Sequence, residues 1–317
     1  MIRWGILGCG DVAEKKSGPA LYKADGSELV AVMRRDRAKA EDFARRHHAK
    51  RAYDTVESLL SDPDVDAVYV ATPPALHLEH TIAAAEAGKH VLVEKPMAVN
   101  ANECEAMIRV CRDAGVHLHV AYYRRFYPKF VAAKAKLDAG VIGRVLGARL
   151  LMCARSGNTG WRVDPAQSGG GHFVDVGSHR LDMLCFLLGE PIEYRGFAAN
   201  LLGHHRAEND AVLAIQFASG AVASASFHFH TQPGRDVLEV YGEAGTLTID
   251  PFDGQAFSIG GETFAFDTPD PVHLPFVQAL VRVYNGDPIP HVDGETGAAA
   301  TRIMDAVLSG FRAARVA

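Results

Sequence analysis

At 317 residues, with 48% hydrophobic and 22% charged side chains, the chain exceeds one comfortable core, fits two ordinary globular domains and is too apolar for disorder. A net charge of -5 without any Lys/Arg run longer than a pair offers no footprint for a phosphate backbone, so no nucleic-acid partner is expected. No apolar stretch approaches a membrane span, the opening run 2–7 is too short for a signal peptide, and the five cysteines are scattered, so a cytoplasmic protein without membrane association is expected.

In chain order, short and continuously apolar runs at 4–7, 29–33, 67–71, 90–94 and 117–121 alternate with amphipathic stretches at 38–47, 78–87 and 101–114. Continuous apolar runs between helices are the mark of parallel strands buried on both faces, which predicts a doubly wound α/β domain of Rossmann type over 1–122. From Pro128 the rhythm changes. A helix over 129–139 leads to a strand at 144–153, and a glycine-rich loop then precedes a helix over 179–188. Runs at 211–218 and 221–230, and at 237–242 and 246–249, each flank a short turn and read as antiparallel hairpins. Helical periodicity returns at 275–285 and 295–314. A second α+β domain with an open, mostly antiparallel sheet is therefore expected over 123–317.

The first strand runs directly into Gly8-x-Gly10-x-x-Ala13, bringing Asp11, Val12 and Ala13 to the start of a helix. Glycines in that context allow a tight turn and close approach of backbone N–H groups to a pyrophosphate. Cys9 within the turn reads as a small apolar filler. After the second strand, Arg34 and Arg35 stand where a dinucleotide fold that accepts ribose hydroxyls places an acidic residue. Two guanidiniums suit a 2′-phosphate, so NADP is expected as cofactor, with NAD as the alternative; Asp36 reads either as a helix N-cap or as a ribose contact.

Thr72-Pro73 and Glu94-Lys95-Pro96 each follow a strand, at the carboxyl edge where doubly wound sheets bind ligands. Lys95 reads as the group that meets a substrate oxygen, against a structural pairing with Glu94; X-Pro is also the usual site of a cis peptide. In the run from Gly169 to Asp182, Asp175 and His179 are four apart and share one face of a helix starting near Asp175. Histidine titrates near neutrality and suits proton transfer in a carbonyl–alcohol interconversion, with a carboxylate to orient it. The pairs His117 and His119, and His228 and His230, lack a completing carboxylate or cysteine, and His77 and His80 lack the H-E-x-x-H spacing, so no metal is expected.

Together, Gly8-x-Gly10-x-x-Ala13, Ala71-Thr72-Pro73, Glu94-Lys95-Pro96 and Asp175-x-Gly177-x-His179-x-x-Asp182 resemble the glucose-fructose oxidoreductase, inositol dehydrogenase and MocA family, over about Gly5 to Pro191. The resemblance implies a substrate site between a Rossmann domain and an α+β domain whose open sheet pairs copies into a homodimer or homotetramer. It implies Lys95 as catalytic lysine, His179 as general acid/base and Asp175 as its orienting partner. It adds Arg124 to the nicotinamide wall and Tyr123 to the substrate pocket, where the family usually carries Asn. Cofactor contacts are thus expected from Gly8, Gly10, Asp11, Val12, Ala13, Arg34, Arg35, Thr72, Pro73, His77, Glu94, Lys95 and Arg124. Substrate contacts are expected from Lys95, Tyr123, Trp161, Arg162, Asp175 and His179, the Gly160-Trp161-Arg162 loop being similar to that of anhydrofructose reductases. The activity implied is hydride exchange with a carbonyl or hydroxyl carbon of a sugar, anhydro-sugar or cyclitol, the small-molecule partner being a polyol or keto-sugar. Two other readings stand beside it: a hydrolase or lyase that retains NAD and oxidises transiently, and a non-catalytic ligand sensor, which should have lost Lys95 or His179.

Overall fold

The computed structural model describes residues 1–155, 157, 159–287 and 293–314. Strands β1 (Ile2–Leu7), β2 (Ser27–Met33), β3 (Arg51–Tyr53), β4 (Ala67–Val70), β5 (His90–Val93) and β6 (Leu118–Val120) form one sheet ordered β3-β2-β1-β4-β5-β6. Every neighbouring pair is parallel. The strands are joined by helices α1 (Gly18–Lys23), α2 (Arg37–Arg46), α3 (Val56–Leu60), α4 (His77–Glu86) and α5 (Ala101–Asp113). Ile6, Val32, Val68 and Leu92 have no exposed surface, as expected for strands covered on both faces. Asp36, Thr55 and Asn100 cap α2, α3 and α5, each accepting a backbone N–H three residues on. The strand order reverses between β1 and β4, so their carboxyl ends open the crevice in which such sheets bind ligands.

The second sheet contains β7 (Val145–Ala154), β8 (Pro191–Ala199), β9 (Asp210–Phe217), β10 (Val222–Phe229), β11 (Arg235–Gly242), β12 (Gly245–Ile249), β13 (Ala256–Ile259) and β14 (Glu262–Ala265). Their order is β14-β13-β12-β11-β7-β10-β9-β8; β7 and β10 are parallel and all other pairs antiparallel. Helices α6 (Pro128–Asp138), α7 (Pro165–Ser168) and α8 (Ser178–Leu188) accompany it. Alternation sends Leu213, Ile215, Ala225 and Phe227 inward, whereas Val212 and Val222 face out. The segment leading into α8 lies on the inner face: the Phe173 and Phe227 rings are 5.0 Å apart, and a Cβ on Gly177 would fall 3.2 Å from Phe227. Sequence patterning did not anticipate β3, β8, β13 or β14. All but β13 are edge strands, and β8 combines a register shift before Glu193 with apolar Phe197 on its exposed face, so the residue types do not alternate cleanly.

Helices α9 (Leu274–Tyr284) and α10 (Gly294–Ala313) complete the chain. It divides into two compact units, one of Met1–Tyr123 with Pro269–Ala298, the other of Arg124–Thr268 with the chain from Ala299. The return of 269–298 to the first unit differs from the simple division at 122/123. Its cause is specific: the Gln278 amide hydrogen-bonds both backbone groups of Asp25 at 2.9 and 3.1 Å, and the Tyr284 ring stacks on His90 at 4.8 Å. An amphipathic period shows that a helix buries one face without showing which core receives it.

Candidate active site

The glycine turn after β1 is shaped as a cradle. Gly8 has φ +90°, and a Cβ there would lie 2.8 Å from Thr72 Cγ2 and 3.1 Å from the Ala71 carbonyl. No other residue fits that position. At Gly10 a Cβ would meet nothing nearer than 4.0 Å, so the missing side chain leaves open space above the loop. Asp11 begins the helical backbone, Ala13 is fully buried, and the first N–H groups of such a segment lack acceptors of their own. These features fit the pyrophosphate of a dinucleotide. Cys9 is 1% exposed and burial pushes its thiol up to about 11, so it is a protonated filler, as its sequence context suggested.

Arg34, half-buried at the end of β2, donates from Nη1 to the Cys9 carbonyl at 3.2 Å, and Arg35 is exposed. Asp36 is the N-cap: one carboxyl oxygen accepts the Lys39 N–H at 3.2 Å and the other meets Lys39 Nζ at 3.1 Å. Its carboxylate thereby serves as the cap of its own helix.

At the end of β4, Thr72 Oγ1 meets His80 Nδ1 at 3.0 Å, and Thr72 and Pro73 are half-buried. His77 departs from its expected role as a cofactor contact. It has no exposed surface; Nε2 faces the Thr72 carbonyl at 2.8 Å, and Nδ1 faces those of Pro96 and Met97 at 3.1 Å. It lies between the loops after β4 and β5; burial lowers its pKa to about 4, and the neutral ring donates to one of these sides only. Glu94 is likewise structural in its contacts, accepting the Tyr69 hydroxyl on Oε1 and the Lys95 N–H on Oε2 at 3.0 Å. Burial pushes its carboxyl up, against the nearby charges of Lys95 and Lys16. Lys95 itself is half-buried at the carboxyl edge, and its bond to Pro96 is cis.

Tyr123, 4% exposed, lies against His273 with ring centroids 4.0 Å apart. His273 is fully buried and burial, with the charges of Lys16 and Lys95, lowers its pKa to about 3. The sequence reading missed this histidine, since a lone His before a helical pattern carries no spacing signal.

In the second unit, residues Phe173–Gly177 form a π turn leading into α8, a device often found at functional sites. The turn carries half-buried Asp175, and His179 follows in the first turn of α8 at 6% exposure. Arg162 Nε lies 4.0 Å from Asp175 Oδ2, and its guanidinium covers the Trp161 ring at 4.5 Å, so three of the expected substrate residues are neighbours. Asp182, the third member of the face, is occupied by Arg125, whose Nε donates to its two oxygens at 3.0 and 3.1 Å. Arg124, expected beside the cofactor, belongs to the second unit and pairs with Asp253. Glu208, also unforeseen, is 1% exposed and accepts the Gly171 N–H at 2.7 Å. Among the described residues, no group of three His, Cys, Asp or Glu is placed to hold a metal ion.

A glycine cradle at the switch point of a six-stranded parallel sheet, in a chain that also carries an α+β unit, defines a dinucleotide-binding protein. Residues 2–122 match the oxidoreductase family with an NAD-binding Rossmann fold, and 130–248 match the GFO/IDH/MocA C-terminal domain. The chain belongs to the GFO/IDH/MocA family of oxidoreductases. It is 34% identical to Oxidoreductase P35 of Formosa agariphila over 96% of this chain and 97% of that one. It is 33% identical to 1,5-anhydro-D-fructose reductase of Ensifer adhaerens (78% and 75% covered) and 32% identical to D-xylose 1-dehydrogenase (NADP(+)) 2 of Haloferax volcanii (96% and 95%). The crystal structure of aldose-aldose oxidoreductase from Caulobacter crescentus superposes with a TM-score of 0.87 at 29% identity, covering 99% of this chain and 98% of that one. No helix among the described residues is long and apolar enough to cross a membrane.

Proposed function

We propose that the protein is an NADP-dependent oxidoreductase acting on a carbonyl or hydroxyl carbon of a sugar, anhydro-sugar or cyclitol. Its relatives named for 1,5-anhydro-D-fructose and D-xylose support that substrate class. The observation that carries the cofactor reading is Arg34 at the end of β2, where an acid would meet ribose hydroxyls, with Asp36 serving as the N-cap of α2. Nicotinamide, when bound, supplies the two-electron redox chemistry. Lys95 stabilises negative charge on the substrate oxygen, His179 exchanges a proton with that oxygen, and Asp175 orients His179 and a neighbouring hydroxyl. Arg162 and Trp161 complete the sugar-binding surface beside Asp175, and Tyr123 is a further substrate contact. The outer face of the second sheet pairs copies into a homodimer or homotetramer, and the five free cysteines suit a reducing cytoplasm.

The test is a screen of the purified protein with NADPH and NADH against keto-sugars, and with oxidised cofactors against polyols. One active pair fixes the reaction class, and tightly held cofactor without net turnover would contradict it. On the active pair, His179→Ala should lower turnover by about a hundred- to ten-thousand-fold. NADPH affinity, measured by fluorescence titration, should stay within twofold. Full turnover in that variant would remove the proton-transfer role.

A further inference from the structure

Glu208 follows Ala207 in the polar run before β9, where a solvated carboxylate would be ordinary, yet it is 1% exposed. Gly171 N–H donates to its Oε1 at 2.7 Å, and the backbone N–H groups of Val174 and of Glu208 itself also stabilise the carboxylate. The glycine run is cut to this carboxyl. A Cβ on Gly170 would lie 3.0 and 3.1 Å from its two oxygens, and one on Gly171 would lie 2.6 Å from the Glu208 carbonyl.

From Gly171 the connection continues into the π turn. Gly171 O accepts the Asp175 N–H at 3.0 Å, and Asp175 O accepts the hydroxyl of Ser178, the residue before His179, at 3.2 Å. On the other side, Arg312 of α10 donates to Gly169 O at 2.7 Å and pairs with Asp305. Arg312 is the charged group that acts on Glu208 from the packed elements. An apolar residue could fill the volume of Glu208, but it would leave the Gly171 N–H buried without an acceptor.

We propose that Glu208 is a positioning residue for Asp175 and His179: it anchors the glycine run from which their segment is hung. This rests on the acid/base reading above. Burial pushes the Glu208 carboxyl up to about 7, so its protonation changes in the neutral range and its influence on His179 is readable by titration.

The experiment follows the His179 imidazole by heteronuclear NMR from pH 5 to 9 in the full-length chain, assigning its signal with His179→Gln. Unfolding and NADPH fluorescence titration serve as controls. In Glu208→Ala the His179 signal should move and its midpoint shift by roughly half a unit or more, while NADPH affinity stays within twofold. Glu208→Gln keeps an acceptor oxygen, so the signal should return near its wild-type position but lose the second inflection near neutrality. A folded Glu208→Ala with an unchanged His179 titration overturns the proposal. If that variant does not fold, a Glu208→Gln trace that retains the neutral inflection overturns it instead. Turnover separates the two ideas: full activity in His179→Ala and Asp175→Asn defeats the acid/base reading, whereas its loss beside a His179 signal blind to Glu208 defeats only the positioning role.

Discussion

Arg34 Nη1 hydrogen-bonds the Cys9 carbonyl, so the guanidinium is tied to the loop proposed to hold the pyrophosphate, and Arg35 follows it in the open. A charged hydrogen bond is worth about 1.5–3 kcal/mol, roughly ten- to a hundredfold in affinity. The double variant Arg34→Asp, Arg35→Ala should therefore lower the ratio of kcat/KM for NADPH over NADH by at least about tenfold, and an unchanged ratio would show that neither arginine reads a 2′-phosphate. Residues of this kind were legible in the sequence because motif spacing fixes them to a strand end: Gly8, Arg34, Thr72 and Lys95 all stand at the carboxyl edge. The buried roles of His77, Glu208 and His273 were not. Each acts through burial and through backbone groups or rings distant in the chain, and nothing in the local pattern of a lone His or Glu records that.

Among elements, the β1–turn–helix unit tolerates the least change. Gly8→Ala combines a positive φ, costing a side chain about 1–2 kcal/mol, with contacts at 2.8 and 3.1 Å to Thr72 and Ala71. The variant should lose roughly 2 kcal/mol or more in urea unfolding and bind NADPH more weakly, because relief of the clash must push the β1 and β4 loops apart. Wild-type stability and affinity together would mean that the cradle is looser than its geometry. Strand legibility followed the same physics. β1, β2, β4 and β5 are buried on both faces and read as apolar runs, and β9 and β10 bury one face and read as alternation. Three-residue β3 and edge strand β8, neither of which has a fully buried residue, bury too little to leave either signature.

At the scale of the whole molecule, the outer face of the second sheet exposes Ile192, Val212, Val222 and Phe197, the last at 86%. This is the face proposed above to pair copies. Phe197→Asp with Val222→Asp should lower the mass seen by sedimentation equilibrium, and an unchanged mass would take the proposed pairing off this face. Buried groups in the two units should also contribute pH dependences of opposite sign, the histidines of the first against Glu208 of the second. His77 and His273, both in the first unit, are held neutral by burial at about 4 and about 3, against an ordinary 6.5. The unfolded chain therefore binds protons that the folded unit refuses, and stability is lost as pH falls below about 6.5, by about 3 kcal/mol for His77 at full effect. Glu208, in the second unit, has its pKa raised to about 7 from 4.5, so the folded state holds the proton more tightly and stability falls as pH rises between those values. Hydrogen exchange at pH 7.5 and 5.0, converted to opening free energies, should show β4 and β5 weakened at the lower pH while the backbone around Gly171 is strengthened. His77→Gln should flatten the first trend and leave the second untouched, since a neutral amide at that position has no proton to gain; parallel loss in both units would show that these buried groups do not set the pH response.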